Sequence, residues 1–413
     1  MSTVNGLDCA RCQRSFSADM RTRICPCGGP LFVRYDLHRI AASASPKIWA
    51  DRPPGMWRYR ELLPLVESAE PVTLGEGASP LLALPELGRR LGLETLFTKD
   101  EGLQPTLTFK ARGASLGVSM AKALGYRDIG LSTTGSAGTA WAAYCARAQL
   151  TLHLAMPADT PSEVRDEAER FGAHIQLVPG TIVEAGVAIQ EEISRYGWYD
   201  ADAFREPCRL EGKKTLAFEL AEALGWTLPD VVLFPTGGGI GPLGLAKGFR
   251  ELMSLGWVPP RHPRVVLAQA AGCAPLVQAF QQGAQQAQPW RHPNTIAKGI
   301  RVPETSADVL LLEMVERTSG SAVAVPDSAI LEVQQTLYQV EGLSVGLEGA
   351  AAVAALRSLA DDGWLRASDV IVVVNTGSGL KPGAAGVSGT PSPRALHKDA
   401  PDSDRKETHP HGT

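Results

Sequence analysis

No stretch of this chain is apolar for long enough to span a bilayer, and its N-terminus, "MSTVNGLDCARC", lacks the basic segment and apolar core of a secretory signal. Neither sign of charge prevails: 40 Lys and Arg stand against 44 Asp and Glu, a formal net charge of −4. No strongly basic surface therefore points to nucleic acid or anionic lipid. With membrane and nucleic acid set aside, a small molecule is the expected partner and the cytoplasm the expected setting. Internal repeats are also lacking. Low complexity is confined to the end, "GAAGVSGTPSPRALHKDAPDSDRKETHPHGT", whose polar, Pro- and Ser-rich composition cannot bury enough surface to order itself. Residues 383–413 are expected to form a disordered tail.

Cysteine is scarce, seven in 413 residues, yet four of the seven crowd the beginning: Cys9 and Cys12 in "CARC", Cys25 and Cys27 in "CPCGG". In a reducing compartment, two close pairs on two short knuckles suit a four-thiolate zinc site. The second pair has one spacer where two are commoner, and the other reading is a ribbon held by its strands and the "GGPLFVRYD" hairpin alone. Cys145, Cys208 and Cys273 lie in apolar or mixed contexts and read as small core residues.

The length exceeds one ordinary core. After the ribbon, residues 1–45, "SASPKIWADRPPGMWRYRELLP" reads as linker-like, because its prolines forbid a continuous helix. From about residue 95 strands and helices alternate: "LETLFTKD", a helix from Lys110, "DIGLST", "TLHLAMP", the amphipathic "SEVRDEAERFG", then "AHIQLVPG". Further on, "DVVLFP", "RVVLAQA" and "DVIVVVN" are near-continuous apolar strands, as a parallel sheet buried on both faces requires. The expected class is α/β, with two doubly wound parallel-sheet lobes. Residues 46–105 and 216–382 would build the larger lobe and 106–215 the smaller.

Three glycine-bearing loops follow strands, where ligands of open α/β sheets collect. In "FPTGGGIGPLG", Gly237, Gly238, Gly239 and Gly241 flank Ile240 at the start of a helix, a cup for a phosphate or else a packing turn. Gly239, Gly241 and Gly244 also satisfy G-x-G-x-x-G, but "RVVLAQAAG" ends in Gln269 and small residues and lacks the acid a dinucleotide ribose needs. "STTGSAGTAWAAYCAR" brings Thr134 and Ser136 to a second junction, a tight turn or a contact for something planar, and "VNTGSGLKP" places Thr376 on a third. In "QPTLTFKARG", Lys110 opens a helix, the end that disfavours cations. It is either a solvated lysine or an amine kept neutral and reactive. A glycine cup, an amine and a partner for a ring nitrogen together suit pyridoxal phosphate.

The order of motifs resembles the threonine synthase branch of the fold-type-II pyridoxal-phosphate enzymes over nearly the whole chain. "CPCGGPLFVRYDL" is similar to their N-terminal ribbon, "GEGASPLLAL" to "EGxTPL", "KDEGLQPTLTFKARG" to "KxExxNPTGSFKxRG", "FPTGGGIG" to the phosphate loop and "NTGSGLK" to "TGxGLK". The resemblance implies that Lys110 carries the cofactor covalently and then shuttles protons. It also implies that Gly237 to Gly241 hold the phosphate, that Ser136 and Thr376 touch the ring, that Thr134 and Arg209 meet the substrate, and that the enzyme is a homodimer. A hydroxyl at Thr376 cannot keep the ring nitrogen protonated as a carboxylate would, which suits elimination and replacement at the substrate side chain.

Several positions depart from the pattern. Ser136 stands for the usual Asn, Gln104 and Leu107 for the Asn and Gly of the lysine motif, Ala137 for Thr or Ser, and Ala203 and Phe204 for polar phosphate ligands. The expected reaction makes L-threonine and phosphate from O-phospho-L-homoserine and water. The alternatives are β-elimination or β-replacement on a serine-like amino acid, as in dehydratases and cysteate-type synthases, and cofactor binding without turnover.

Overall fold

The computed structural model describes residues 3–66 and 69–381; the tail expected at 383–413 lies outside the described residues. Strands and helices alternate from residue 81 onward and sort into two sheets. The larger has six strands, in the order Ser321–Val325, Arg264–Ala270, Val231–Pro235, Val370–Asn375, Thr95–Asp100 and Leu81–Ala83. All its pairs are parallel except the last, where Leu81–Ala83 runs antiparallel to Thr95–Asp100. Val231–Pro235 is buried at every residue, so its apolar run has no polar face to alternate with. The smaller sheet has four parallel strands, His174–Val178, Thr151–Pro157, Asp128–Ser132 and Tyr199–Asp200. Both sheets are the α/β architecture expected from the sequence. An antiparallel three-stranded ribbon, Ser15–Phe16, Val4–Cys9 and Leu31–Tyr35, precedes them.

The stretch read as a linker is part of the core instead. It carries the short helix Pro46–Ala50 and the 3₁₀ helix Met56–Leu62, and Trp49, Met56, Tyr59 and Leu62 are fully buried. Pro53 and Pro54 do separate the two helices, as expected. The indoles and phenol on either side of the break are nevertheless large apolar surfaces that water excludes. Trp49 packs edge-on against Tyr59 and Trp257, with ring centroids 4.8 Å away in each case. The same core takes in Leu31, Val33 and Tyr35 of the ribbon and Leu216 and Phe218 of the helix Cys208–Ala223.

Two buried charge networks hold the helices between the lobes. In the first, Arg112 pairs with Glu101 at 2.7 Å and Glu219 at 2.6 Å, and Lys99 pairs with Glu219 at 2.7 Å. In the second, Lys214 and Lys247 face Glu211 and Glu251, and the Tyr35 hydroxyl donates to Glu211 at 2.9 Å, which fastens the ribbon to the helix Cys208–Ala223.

Candidate active site

The N-cap residue supplies no side-chain cap to the helix Lys110–Ala123, nor to Ser136–Ala148, Ile240–Ser254 or Leu347–Asp361. Uncapped starts leave backbone N–H groups without an intrahelical acceptor, and each helix dipole adds partial positive charge there. Lys110, Ser136, Ile240 and Leu347 all line one cavity of about 420 Å³. The loops that follow Asp128–Ser132, Val231–Pro235 and Val370–Asn375 open onto it, at the carboxyl ends of strands in both sheets.

Every residue expected to meet cofactor or substrate lines this cavity: Lys110, Thr134, Ser136, Arg209, Gly237, Gly238, Gly239, Ile240, Gly241 and Thr376. The glycine loop divides its labour. A Cβ at Gly237 would meet Val302 at 2.8 Å, one at Gly239 would meet Leu311 at 2.3 Å, and one at Gly241 would meet Phe234 at 2.5 Å. At Gly238 a Cβ would meet nothing within 4 Å. Packing thus needs three of the glycines, and Gly239 also takes φ +89° as it enters the helix. Gly238 keeps its backbone open toward the cavity. A strip of backbone at a helix start is a geometry into which an anion fits.

Lys110 is joined to the loop bearing Thr376. The Phe109 amide and the Thr108 hydroxyl both donate to the Thr376 carbonyl at 3.1 Å. The Thr376 hydroxyl and the Ser136 hydroxyl make no hydrogen bond to any described residue, so both are available to a ligand. Burial, then the Arg209 guanidinium, lowers the Lys110 amine to about 8, with Glu348 working the other way. Lys99, the rival lysine at the start of the motif, is buried and committed, donating to Glu219 at 2.7 Å and the Ser79 carbonyl at 2.5 Å.

The departures from the family pattern fall in two groups. Gln104 lies outside the cavity, accepting from the Gly77 amide at 2.8 Å and donating to its carbonyl at 3.3 Å. Its role is to fasten "GEGASP". Ala137, Ala203 and Phe204 do line the cavity and bring no side-chain donor to it. Phe204 has φ +63° and Leu107, where the pattern has Gly, has φ +57°, the left-handed region that L side chains occupy at a cost of about 1–2 kcal/mol.

Arg209 is 7% exposed; one amino group donates to the Ala201 carbonyl at 2.6 Å, while its Nε has no partner among the described residues. Three cavity cations escaped the sequence reading: Lys213, Lys298 and Lys381. Lys381 reaches the Thr106 carbonyl and the Thr139 hydroxyl, both at 3.0 Å, and so bridges the two lobes. It stands in "TGSGLK", and Lys213 follows Arg209 by four residues, about one helical turn, in "RLEGKKT".

Away from the cavity, the sulfurs of Cys9, Cys12, Cys25 and Cys27 lie within 4.8 Å of one another. Cys9 and Cys27 are 3.5 Å apart and Cys12 and Cys25 3.6 Å, close to the ~3.8 Å edge of a tetrahedron with ~2.3 Å zinc–sulfur bonds. Against the penalty of burial, the Cys12 and Arg11 amides directed at its sulfur bring the Cys9 thiol down to about 7. A Cβ at Gly29 would stand 2.7 Å from the Cys9 sulfur, so glycine leaves the cluster its room.

Comparison with known proteins agrees with this geometry. Residues 72–377 match the family model described as pyridoxal-phosphate dependent enzyme. The threonine synthase of Methanocaldococcus jannaschii is 32% identical over 95% of this chain and 96% of its own length. That of Mycobacterium bovis is 34% identical over 78% of this chain and 87% of its own. Among solved structures, the processed form of threonine deaminase isoform 2 from Solanum lycopersicum superposes with a TM-score of 0.61 at 21% identity, over 73% of this chain and 79% of that one. Maize serine racemase, at 20% identity and TM-score 0.62 over 74% of this chain and 89% of that one, likewise shares the fold. The chain belongs to the pyridoxal-phosphate-dependent enzyme family, in its threonine synthase branch.

Proposed function

We propose that this enzyme is a lyase that converts O-phospho-L-homoserine and water into L-threonine and phosphate. The observation that carries the reading is the convergence of Lys110, the Gly237–Gly241 loop, Thr376 and Arg209 on one cavity. Those residues suit pyridoxal phosphate: Lys110 to hold it, the glycine loop its phosphate, Thr376 and Ser136 its ring. When bound, it supplies an electron-withdrawing ring that acidifies the substrate's α and β hydrogens.

The chain's own groups have definable tasks. Arg209 and Thr134 bind and orient the substrate. The Lys110 amine, lowered to about 8 by burial and by Arg209, is poised to accept a proton near neutral pH and to return it. It takes the α and β protons in turn; the bond from the γ carbon to oxygen breaks and phosphate leaves. Water then adds its oxygen at the β carbon, and protons return to the γ and α carbons. Atoms balance as ester plus water in, threonine plus phosphate out.

The absence of side-chain donors at Ala137, Ala203 and Phe204 favours a second reading, elimination or replacement on a serine-like amino acid. The test offers holoenzyme O-phospho-L-homoserine, L-threonine and L-serine separately. Equimolar threonine and orthophosphate from the first substrate support the proposal. Fast ammonia release from the other two, with no threonine formed, would replace it by the second.

The proposal extends to the cysteine cluster as a structural zinc site, to a homodimer and to the cytoplasm. All seven cysteines are free thiols, as suits a reducing compartment, and none of the described helices is long and apolar enough to cross a membrane. Sedimentation at micromolar concentration tests the dimer.

A further inference from the structure

The helix Cys208–Ala223 presents two cations one turn apart to the cavity, Arg209 and Lys213. Lys213 is 2% exposed, and its Nζ makes one hydrogen bond among the described residues, 3.2 Å to the Arg209 carbonyl. The next residue shows what a buried lysine of this helix ordinarily obtains: Lys214 reaches Glu211 at 2.5 Å and Glu251 at 2.8 Å. Lys213 has no such pair. Glu206 is the nearby carboxylate, and it is already taken, accepting from the Cys208 and Arg209 amides at 2.6 and 2.7 Å and from the Tyr199 hydroxyl at 3.2 Å. An ammonium has three donors, and burying one against a single neutral carbonyl and the face of the Phe109 ring, 5.5 Å away, is unfavourable unless an anion arrives to complete it. Arg209, with its own Nε unsatisfied, faces the same space.

We propose that Lys213 is a second cationic ligand, beside Arg209, for a dianionic phosphoryl group carried by the amino-acid substrate. The proposal rests on the phosphate-ester reading given above and specifies how that group is recognised. It also accounts for Ala137, Ala203 and Phe204: an ammonium on the next turn of the Arg209 helix replaces the neutral donors that those positions lack. Three charged groups act on Lys213. Arg209, from its own helix, and Lys110, from the helix packed against it, add to burial in pressing the amine toward neutrality, and Glu206 opposes them. A bound dianion reverses the balance, so phosphoryl binding takes up a proton.

The experiment titrates inorganic phosphate, O-phospho-L-serine and L-serine into holoenzyme by calorimetry, in two buffers of different ionisation enthalpy. Wild type is compared with Lys213→Met and Lys213→Gln, and cofactor affinity is followed by visible absorbance. Methionine removes an unpaired buried amine at similar volume, so this variant is expected to melt no lower than wild type. The expected result is a loss of about 10- to 100-fold in affinity for phosphate and phosphoserine in both variants. Serine and cofactor affinities stay within about twofold, and the proton uptake disappears. Unchanged affinity for the phosphorylated ligands overturns the proposal. So does a loss confined to the cofactor, which would assign Lys213 to the cofactor's phosphate instead. Lys213-dependent phosphoserine binding in an enzyme that forms no threonine from phosphohomoserine would sink the assigned reaction and leave this site standing.

Discussion

The Phe109 amide donates to the Thr376 carbonyl at 3.1 Å, joining the residue before Lys110 to the loop that ends the strand Val370–Asn375. This bond crosses 267 positions of sequence, and it sets the amine and the Thr376 hydroxyl on one cavity. Lys110→Ala should therefore fold normally and still bind pyridoxal phosphate weakly, while losing the link that borohydride fixes. Peptide mapping of reduced wild type should find the label on Lys110. A label on Lys99 would refute the assignment, since that amine is tied to Glu219 and the Ser79 carbonyl.

The pH dependence of cofactor capture follows from the lowered amine. Only the neutral amine attacks an aldehyde, and Lys110 loses its proton at about 8. Capture by the apoenzyme should rise about tenfold per pH unit below that value and level off above it. Arg209 is one cause of the lowering, so Arg209→Ala should move the midpoint upward. Stopped-flow absorbance across roughly pH 6–10 measures both; a flat profile would show that deprotonation of Lys110 does not limit capture. The same shift bears on stability. Between about pH 8 and the unfolded value of roughly 10.4 the unfolded chain holds more protons, so the apoenzyme gains stability as pH rises through that window.

The first of the two buried networks makes a mutational test. Burial opposes ionisation of Glu219, but Arg112 and Lys99 more than offset it and hold the carboxyl well below its usual range. Removing one partner from such a buried group leaves cations uncompensated. Glu219→Ala should cost about 3–5 kcal/mol in urea unfolding. Glu86→Ala, which breaks solvent-screened pairs with Arg89 and Arg90, should leave the unfolding midpoint almost where it was. Equal losses would mean that the buried network is not what holds the lobes.

For the ribbon, the purified protein should carry about one zinc per chain, because a four-thiolate site is closed and structural. Cys9→Ser with Cys12→Ser should abolish metal binding and leave the cofactor absorbance largely intact. Tyr35 couples the ribbon to Glu211, so the metal-free variant should also melt at a lower temperature. Metal-free protein on first isolation, with four thiols titrating freely in the native state, would reject the site.

Much of this was legible because the parallel strands announce themselves: a strand such as "DVVLFP" has no polar face to disguise it, and glycine loops follow strands where ligands bind. What the chain did not announce was long-range pairing. "SPKIWADRPPGMWRYREL" reads as a linker by its prolines, and only the distant Trp257 and Phe218 show why Trp49 and Tyr59 are buried. Gln104 stands in the lysine motif by sequence, but its partner is Gly77. Lys213 is hidden for a related reason: adjacent to Lys214 in sequence, it differs only in which groups surround it, and spacing alone cannot separate a lysine in a salt network from one facing a cavity.

Substrate choice is the sharpest remaining test of the site. Arg209 presents an unsatisfied Nε in a cavity whose walls at Ala137, Ala203 and Phe204 offer no side-chain donor, so on the proposed reading a large share of anion recognition would fall to it. Losing a hydrogen bond to a charged group costs about 1.5–3 kcal/mol, roughly ten- to over a hundredfold in binding. Arg209→Ala should thus lower kcat/KM for O-phospho-L-homoserine by about that factor, mainly through KM, while the cofactor absorbance at saturation is unchanged. Phe204→Ser adds a hydroxyl to a cavity wall that lacks one, and should lower the same KM. Steady-state kinetics on the two variants, with L-serine as the uncharged control, would show which way the pocket is built. If Arg209→Ala leaves the phosphorylated substrate untouched and serine turnover is faster throughout, the enzyme's natural substrate carries no phosphate.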